Sequence, residues 1–422
     1  MKKLLIVTYY WPPNGGTGVQ RWMHFSRYLK QLGWDVTVFT PKNAESAVID
    51  DNLLQHVQGI KVVHADIWEP FNMYRKFTGK GKSQRIQTGF LQENKKQSFL
   101  ERISLWVRAN LFIPDAKMMW INPAIKEIFA LHQKEQFSHI ISTGPPHSTH
   151  LIAMGVKAKT DIKWLADFRD PWTNIDWFPK LPMTKKTLSK HRDLELSVLK
   201  KSDAVVAVTY EMAKEFRDIS HREIHVITNG FAPEDFAEFC SKKSDKLVFF
   251  HHGSMNADRN PIKLWEFLGD KVKENSEWRE KLNIKLIGAV DTSVLSEIEK
   301  NGLTKFLSLK SFLPHHEVLE ALSFATICVM PLNDTPNSKG IMPNKLYEYM
   351  ATGKPIIMIG PKDGDAAKAI ESFENSCVFE FNEMINGDKI EECLKIGEQT
   401  HDLEKFSRFS LAKQVNDLLN TL

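Results

Sequence analysis

The chain has 422 residues, of which 42% are hydrophobic and 26% are charged, with a formal net charge of +4. This length exceeds one ordinary core, so we expect two domains. The composition is typical of a soluble globular protein, the mild net charge gives no indication of nucleic-acid binding, and no apolar run approaches the roughly 20 residues of a membrane-spanning helix.

Short β-rich runs alternate with helical patterns through most of the chain, which predicts doubly wound α/β units with two parallel sheets. In the first half these runs are LLIVTYY, DVTVFT, KVVHA, HIISTG, KWLADF, AVVAVT and HVITNG. In the second half they are LVFFHHG, NIKLIGA, LSLKSFL, ICVMPL, PIIMIG and CVFEF. A polar stretch between them predicts domains at 1–232 and 233–400, followed by a C-terminal helix within 401–422 that packs back toward the first domain.

The N-terminal segment and the cysteines both bear on the cellular compartment. MKKLLIVTYY has no small-residue cleavage site after it, so secretion is not expected. The four cysteines, Cys240, Cys328, Cys377 and Cys393, lie far apart without metal or redox spacing. Reduced thiols in a cytoplasmic protein are the simplest interpretation.

A glycine-rich turn, PPNGGTGVQR from Pro12 to Arg21, follows the first predicted strand and precedes a predicted helix at 18–32. It does not match a dinucleotide fingerprint, because Arg21 occupies the third glycine position and DVTVFTP ends without an acidic residue. Two interpretations remain. The turn either presents free N–H groups to phosphate or sugar oxygens, or only lets the helix pack on its strand.

Residues 75–117 carry ten Lys/Arg against three Asp/Glu. Within this segment FLERISLWVRANLF places Phe99, Ile103 and Trp106 on one helical face, with Arg102 and Arg108 nearby. A basic amphipathic helix suits an anionic membrane surface, and a core-packed helix with a solvated rim is the alternative.

Polar residues follow the strand HIISTG in HIISTGPPHSTHLIAM, where Thr143 ends the strand and His147 and His150 enter a helix. Histidines spaced i, i+3 without a third ligand nearby do not indicate a metal site. His147 is a candidate for substrate contact, and a capping or packing histidine is the alternative.

The next predicted strand ends in charged residues, in WLADFRDPWTNIDWF. Asp167, Arg169 and Asp170 lie there beside Trp172 and Trp177. Charges beside aromatic rings at a strand's carboxyl end suit recognition of a sugar or a lipid phosphate. The alternative is an internal Arg–Asp pair that fixes the loop.

The most informative stretch is NSKGIMPNKLYEYMATGKPIIMIG. It predicts a loop containing Gly340 and Pro343, a helix at 344–351 and a buried strand, so that a helix N-terminus lies at the carboxyl ends of the strands. Open α/β sheets bind ligands at this edge. Glu348, one turn into the helix, is placed to accept both hydroxyls of a ribose.

Three stretches, PPNGGTGVQRWMHFSRYLKQLGWDVTVFTP, VITNGFAPEDF and PNKLYEYMATGKPII, occur in this order and spacing. Together they resemble family 4 of the retaining glycosyltransferases, over nearly the whole chain. The resemblance implies the GT-B fold, an α/β architecture of two facing Rossmann-like domains with a cleft between them. It also implies a nucleotide-diphosphate sugar donor held mainly by the second domain, an acceptor held mainly by the first, and neither a metal nor another cofactor.

The resemblance also implies roles for particular residues of this chain. The donor-binding candidates are Gly15, Gly16, Ser254, Arg259, Gly340, Asn344, Lys345 and Glu348, and the acceptor-binding candidates are Thr143, His147, Arg169, Asp170 and Trp172. The candidate catalytic residues are Arg259, His147 and Asp170. For Lys345 the alternative is a solvated helix lysine, and for Arg259 a surface arginine at a helix start.

Two positions depart from the family pattern. The first of two glutamates spaced eight apart is replaced by Gly340, which leaves the sugar identity open, and the usual arginine after the second domain's glycine is Ser254. DGD at 363–365 resembles the metal-binding Asp-x-Asp of another glycosyltransferase fold, but its position before a helix indicates that Asp365 is an N-cap.

The sequence therefore predicts a cytoplasmic glycosyltransferase, peripheral at the inner face of the membrane, that moves a sugar to a glycan or a lipid-linked acceptor. Two alternatives remain. One is another GT-B enzyme such as a nucleotide-sugar epimerase, which needs no acceptor. The other is a catalytically weak protein that binds sugar nucleotides or acts as a membrane scaffold.

Overall fold

The computed structural model describes residues 2–45, 49–67 and 99–422. The chain divides into two compact units, the first formed by Met1–Asn229 with Arg408–Leu422 and the second by Gly230–Ser407. The predicted C-terminal segment 401–422 is thus divided between the two units.

The first unit contains a seven-stranded parallel sheet in the order β3-β2-β1-β4-β5-β6-β7. The strands are β1 (Lys3–Val7), β2 (Asp35–Pro41), β3 (Lys61–Ala65), β4 (His139–Gly144), β5 (Lys163–Phe168), β6 (Ala204–Ala207) and β7 (His225–Val226). The described helices are α1 (Thr17–Gln31), α2 (Phe99–Leu111), α3 (Ile121–Glu135), α4 (Ser148–Lys157), α5 (Lys185–Lys201) and α6 (Tyr210–Ser220).

Strand β1 shows why the central strands are continuous apolar runs. Leu5 and Val7 pack into one hydrophobic cluster, and Leu4 and Ile6 pack into another. Because successive side chains point to opposite faces of a sheet, a strand covered on both faces by helices is apolar at consecutive positions along most of its length.

The second unit contains a six-stranded parallel sheet in the order β10-β9-β8-β11-β12-β13. Its strands are β8 (Leu247–His252), β9 (Leu282–Ile287), β10 (Leu307–Lys310), β11 (Ile327–Pro331), β12 (Ile356–Ile359) and β13 (Ser376–Phe379). Its helices are α7 (Ile262–Glu274), α8 (Ser276–Lys281), α9 (Thr292–Lys300), α10 (His315–Ser323), α11 (Asn344–Thr352), α12 (Asp365–Ala369) and α13 (Gly387–Ile396).

The last helix, α14 (Arg408–Thr421), belongs to the first unit. Its apolar residues Leu411, Val415 and Leu419 share a buried cluster with Trp22 of α1. The Nε1 of Trp34 also donates to Oδ1 of Asn416 at 2.9 Å. The end of the chain is thereby part of the first core.

Each sheet has one point where the strand order reverses, between β1 and β4 in the first unit and between β8 and β11 in the second. Ligands of open parallel sheets bind outside the carboxyl ends of the strands at such a switch point. A ligand site is therefore expected at the loops that follow these strands.

Every β-rich run recognised in the sequence overlaps one strand of these two sheets, and the predicted α/β class is confirmed. The four cysteines are free thiols, with only Cys240 exposed. Among the helices of the described ranges, none combines the length and hydropathy needed to span a bilayer. Most of the basic segment 75–117, namely residues 75–98, lies outside the described residues.

Candidate functional site

At the switch point of the second unit, the chain turns sharply at Gly253, directly after β8. Gly253 has φ +95°, and a Cβ atom there would lie 2.8 Å from Nζ of Lys345. The left-handed backbone conformation favours glycine at this position, and the end of the lysine side chain lies directly against it. The turn thus brings the end of β8 against the first turn of α11.

Lys345 is held by a buried histidine. His251 lies 2.9 Å from the Val329 carbonyl oxygen through Nδ1, and its Nε2 lies 3.3 Å from Nζ of Lys345. Burial, followed by the charge of Lys345, lowers the pKa of His251 well below its usual range. The imidazole is therefore neutral, with Nδ1–H donating to Val329 and Nε2 accepting from Lys345.

The ammonium group of Lys345 is itself poorly compensated. Burial and the neighbouring charge of Arg259 lower the pKa of Lys345 well below its ordinary value, whereas Glu348 raises it. An anion placed between these two cations would relieve their repulsion, so the electrostatics favour a negatively charged ligand.

Glu348 lies one turn further along α11, between two histidines. Its Oε2 is 3.2 Å from Nε2 of His252, and its Oε1 is 3.3 Å from Nε2 of His315. Burial by itself would raise the pKa of Glu348, but the contacts with His252 and His315 outweigh it, so the pKa lies well below its usual value. The carboxylate is ionised and about one fifth exposed.

Arg259 ends a short 3-10 turn, Ala257–Arg259, after β8. Its Nη1 donates to the carbonyl oxygen of Ser254 at 3.0 Å, which fixes the guanidinium over the turn that follows Gly253. Ser254 is exposed. Lys263, in the following helix, forms an ion pair with Glu266 at 2.7 Å.

The helix α11 begins at Asn344 with Pro343 as N-cap, and no side chain caps its first turn. The amide groups of a first turn have no partner within the helix, so they are available to an anion. Gly340 ends a 3-10 turn that precedes this helix, Ser338–Gly340. Glu348, Lys345, Arg259, Ser254 and these amides form what we term the α11 site.

The acidic residues of 363–365 take part in an ion pair and in the start of a helix. Asp363 pairs with Lys339, and Asp365 is the first residue of α12. The predicted N-cap role of Asp365 is wrong, because Gly364 occupies that position and no side chain caps the helix. Within the described ranges no three His, Cys, Asp or Glu side chains are grouped as metal ligands.

In the first unit, Asp167 at the end of β5 is the centre of a buried network. Its Oδ1 accepts from Nη2 of Arg21 at 2.9 Å, and its Oδ2 accepts from Trp22 at 2.7 Å and from Thr143 at 2.8 Å. Arg21 also donates to main-chain oxygens at 227 and 228. The Arg–Asp pair that sequence left open therefore exists, but its arginine is Arg21, not Arg169.

Arg169 joins two loops through their main chain. Its Nη1 donates to the oxygen of Gly18 at 2.6 Å, and its Nη2 donates to the oxygen of Pro145. The guanidinium thus ties the glycine-rich turn after β1 to the turn after β4. Asp170, the next residue, is exposed.

His147 and Trp172 lie together in the interior. Their rings stack 4.6 Å apart at an interplanar angle of 1°. Burial, followed by the charges of His150 and Arg169, lowers the pKa of His147 well below its usual range, so the ring is neutral. Thr143, buried and donating to Asp167, is likewise enclosed.

The glycine-rich turn opens α1. Gly16 is the N-cap with φ 90°, and no side chain caps the helix. A Cβ atom at Gly16 would meet nothing within 4 Å, so the left-handed backbone, not lack of space, is what favours glycine there. Gly15 lies beside it and is partly exposed.

Sequence reasoning missed His251, His252 and His315, which surround Lys345 and Glu348. The adjacent histidines of LVFFHHG, placed where a strand ends in a glycine, were the available signal for the first two. Nothing local indicated His315, because its contact with Glu348 joins two helices.

Comparison with solved structures identifies the architecture. The chain is similar to sucrose-phosphate synthase from Thermosynechococcus elongatus, at 12% identity and a TM-score of 0.63, covering 100% of this chain and 99% of that one. A glycosyltransferase from Rickettsia africae gives 13% identity and a TM-score of 0.61, with coverage of 100% and 98%.

TarM from S. aureus, in a complex with fondaparinux, α-GlcNAc-glycerol and UDP, gives 12% identity, a TM-score of 0.58 and full coverage of both chains. No protein-family model and no curated protein sequence matches the chain. At these identities the likeness establishes the fold, and the chain has the two-domain α/β GT-B fold.

Proposed function

We propose that the protein is a retaining glycosyltransferase of the family 4 type, which transfers a sugar from a nucleoside-diphosphate sugar to an acceptor. The observation that carries this proposal is the α11 site, where an ionised carboxylate, two cations and an uncapped helix N-terminus meet at the switch point of one sheet. The GT-B fold and the glycosyltransferases among its structural neighbours support it.

Glu348 provides the ribose contact. A carboxylate has two oxygens that accept hydrogen bonds, and a ribose offers two neighbouring hydroxyls. The contacts with His252 and His315 keep Glu348 ionised and hold its orientation. Charged acceptors form the stronger hydrogen bonds, so this residue contributes to nucleotide affinity.

The diphosphate is bound by Lys345, Arg259 and the first amides of α11. These groups are fixed by His251, by the Ser254 carbonyl and by the helix itself. Their arrangement is therefore in place before the negative charge on the leaving phosphate increases, which is the condition for electrostatic stabilisation of a transition state.

The transfer with retention proceeds by departure and attack on the same face of the sugar. The bond between the anomeric carbon and the donor phosphate breaks, the acceptor oxygen bonds to that carbon, and the leaving phosphate takes the acceptor's proton. The protein positions both substrates and stabilises the charge of the leaving group.

The acceptor is a glycan or a lipid-linked glycan precursor, bound mainly by the first unit. Asp170 is the exposed candidate there, and Arg169 holds the loops that border it. TarM in its complex holds α-GlcNAc-glycerol and fondaparinux, so compounds of this chemistry are suitable first acceptors to test.

A thermal-shift screen of nucleoside diphosphates and their sugars, beginning with UDP, tests the donor part of the proposal. A ligand at 100 times its dissociation constant stabilises by about 2.7 kcal/mol, which is readily detected. The stabilising sugar nucleotide is then incubated with candidate acceptors, and proton NMR reports the anomeric configuration of the product.

The outcomes separate the competing functions. Conversion of the donor sugar without an acceptor would identify an epimerase, and binding without even slow donor hydrolysis would identify a binding protein. We expect turnover to persist in EDTA. Loss in EDTA with recovery by manganese would overturn the metal-independent mechanism.

A further inference from the structure

We infer that the first unit carries a docking surface for an anionic lipid membrane, formed by α2 and the segment that leads into α5. This α2–α5 surface consists of Arg102, Ile103, Trp106, Trp177, Lys185 and Lys186. It belongs to the first unit, whereas the α11 site belongs to the second, and it requires no assumption about the reaction.

A single buried side chain joins the two parts of the surface. Asn110, near the end of α2, donates through Nδ2 to the oxygen of Pro182 at 2.9 Å. Its Oδ1 accepts from the amide of Thr184 and from Oγ1 of Thr187, each at 2.8 Å. The last turn of α2 is therefore fastened to the first turn of α5, which brings two elements far apart in sequence next to each other.

The surface exposes large apolar side chains. Ile103 is 44% exposed, and Trp106 and Trp177 are each 45% exposed. Phe178, the neighbour of Trp177, is buried and packs edge-on against His191 of α5 at 5.1 Å, which fixes this segment to the helix. Tryptophan is the side chain most suited to the boundary between lipid headgroups and acyl chains.

Positive charge accompanies these apolar groups. Arg102, Lys185 and Lys186 are exposed and form no ion pair with the other residues that the structure describes. Elsewhere on the described surface many lysines are paired, for example Lys281 with Glu277 at 2.7 Å. Exposed cations and exposed indole rings on the same two adjoining elements are complementary to an anionic interface.

The charge and the exposed apolar groups of this surface also argue against three other partners, namely residues 68–98, a second copy of the chain and nucleic acid. Residues 68–98, which lead directly into α2, contain seven Lys/Arg and two Asp/Glu, so this segment has the same sign as the surface. A second copy of the chain would likewise place cations against cations. Nucleic acid would satisfy the charge but not the exposed Ile103 and Trp106.

The test is co-sedimentation of the full chain with vesicles of phosphatidylglycerol in phosphatidylcholine, against phosphatidylcholine alone. We expect binding only to the anionic vesicles, with release as salt screens the charges. Lys185→Gln with Lys186→Gln should lower the partition coefficient about 30-fold, since each basic residue near such a surface contributes about 1 kcal/mol.

The matched control neutralises the other end of the same helix. Lys200→Gln with Lys201→Gln removes the same charge from exposed positions about 22 Å away, at 1.5 Å per residue. It should leave binding near that of the unaltered chain. Equal loss in both double variants would mean that only net charge matters and would overturn the assigned surface.

Trp106→Gln with Trp177→Gln tests the apolar part. We expect it to weaken vesicle binding at low and at high salt, while the far-UV circular dichroism stays that of the unaltered chain because neither ring belongs to a buried cluster. Unaltered vesicle binding in this variant would overturn the proposal. Three other results would also overturn it. They are vesicle attachment that depends only on the lysines and arginines of 75–96, tighter binding to RNA than to vesicles, and a dimer in sedimentation that this variant abolishes.

Discussion

The carboxyl edges of the two sheets use their charged residues in different ways. In the first unit, the carboxylate of Asp167 is enclosed by Arg21, Trp22 and Thr143, and every one of these partners is a buried protein group. In the second unit, Glu348 and the residues around it are fixed but remain partly exposed.

The histidines show the same contrast. His147 of the first unit is neutral and stacked on Trp172, whereas His252 and His315 of the second contact a carboxylate that remains ionised. Similar residue types at equivalent edges thus stabilise the scaffold in one unit and, in the function proposed above, bind the donor in the other.

The largest effect is expected at Asp167. Asp167→Asn leaves the buried guanidinium of Arg21 without its counter-ion, and breaking a buried pair in this way costs about 3–5 kcal/mol. Urea denaturation followed by tryptophan fluorescence measures the loss. The control Asp170→Asn changes an exposed carboxylate three residues away and should alter stability by less than about 0.5 kcal/mol. An equal loss of unfolding free energy in both variants would show that Asp167 does not stabilise the fold through its buried ion pair.

Arg259→Ala should lower the turnover rate more than it weakens donor binding. A cation fixed beside the leaving diphosphate stabilises the transition state more than the bound donor, and losing such a contact costs about 2.7–4 kcal/mol, or roughly a hundred- to a thousandfold in rate. Arg259→Lys should recover only part, because lysine keeps the charge but loses the planar fork.

The control for this prediction is Lys263→Ala, which removes a nearby cation already paired with Glu266. Steady-state kinetics on the identified donor decide the matter. If turnover of Arg259→Ala matched the unaltered enzyme, Arg259 would be a surface arginine and not part of the site.

Glu348→Gln should weaken nucleotide binding and leave the fold intact. Hydrogen bonds to a charged group contribute about 1.5–3 kcal/mol, so we expect a loss of roughly 10- to 150-fold in affinity by calorimetry. The unaltered protein should bind the 2′-deoxynucleotide more weakly than the parent nucleotide. The Glu348→Gln variant should bind these two ligands with almost equal affinity. Glu317→Gln, an exposed glutamate of α10, is the control. An unchanged affinity for Glu348→Gln excludes the ribose contact.

A smaller, pH-dependent effect is expected at Glu195 in the first unit. Glu195 accepts from the amide of Thr173 at 3.2 Å and from its hydroxyl at 2.6 Å, and burial raises its pKa to about 7. Because the folded pKa lies above the unfolded value, the stabilising contribution is complete below the unfolded pKa. It is lost as pH rises toward 7.

We therefore expect the free energy of unfolding to fall by about 2 kcal/mol more between pH 5 and pH 8 in the unaltered protein than in Glu195→Gln. The buried neutral histidines have the opposite dependence, since lowered folded pKa values favour the fold at higher pH. Subtracting the unfolding free energy of Glu195→Gln from that of the unaltered protein cancels the contribution of these histidines, because both proteins contain them. Parallel stability curves would show that Glu195 does not titrate in this range.

The sequence by itself determined the elements and their order. Apolar runs of strand length between helical patterns predicted the strands of both sheets, because a strand covered on both faces is apolar at consecutive positions along most of its length. The helix beginning at Asn344 could also be read locally, since Lys345 and Glu348 lie one turn apart on it. These are properties of neighbouring residues.

Tertiary structure alone decided the partners of the charged groups. Asp167 pairs with Arg21, 146 residues away, and not with the adjacent Arg169, and Glu348 meets His252 and His315 from separate elements. Such pairs follow from which strands are neighbours in the sheet, which no local pattern specifies. Burial then fixes the protonation state, so that His147 becomes neutral and Glu348 stays ionised only through the three-dimensional surroundings of each group.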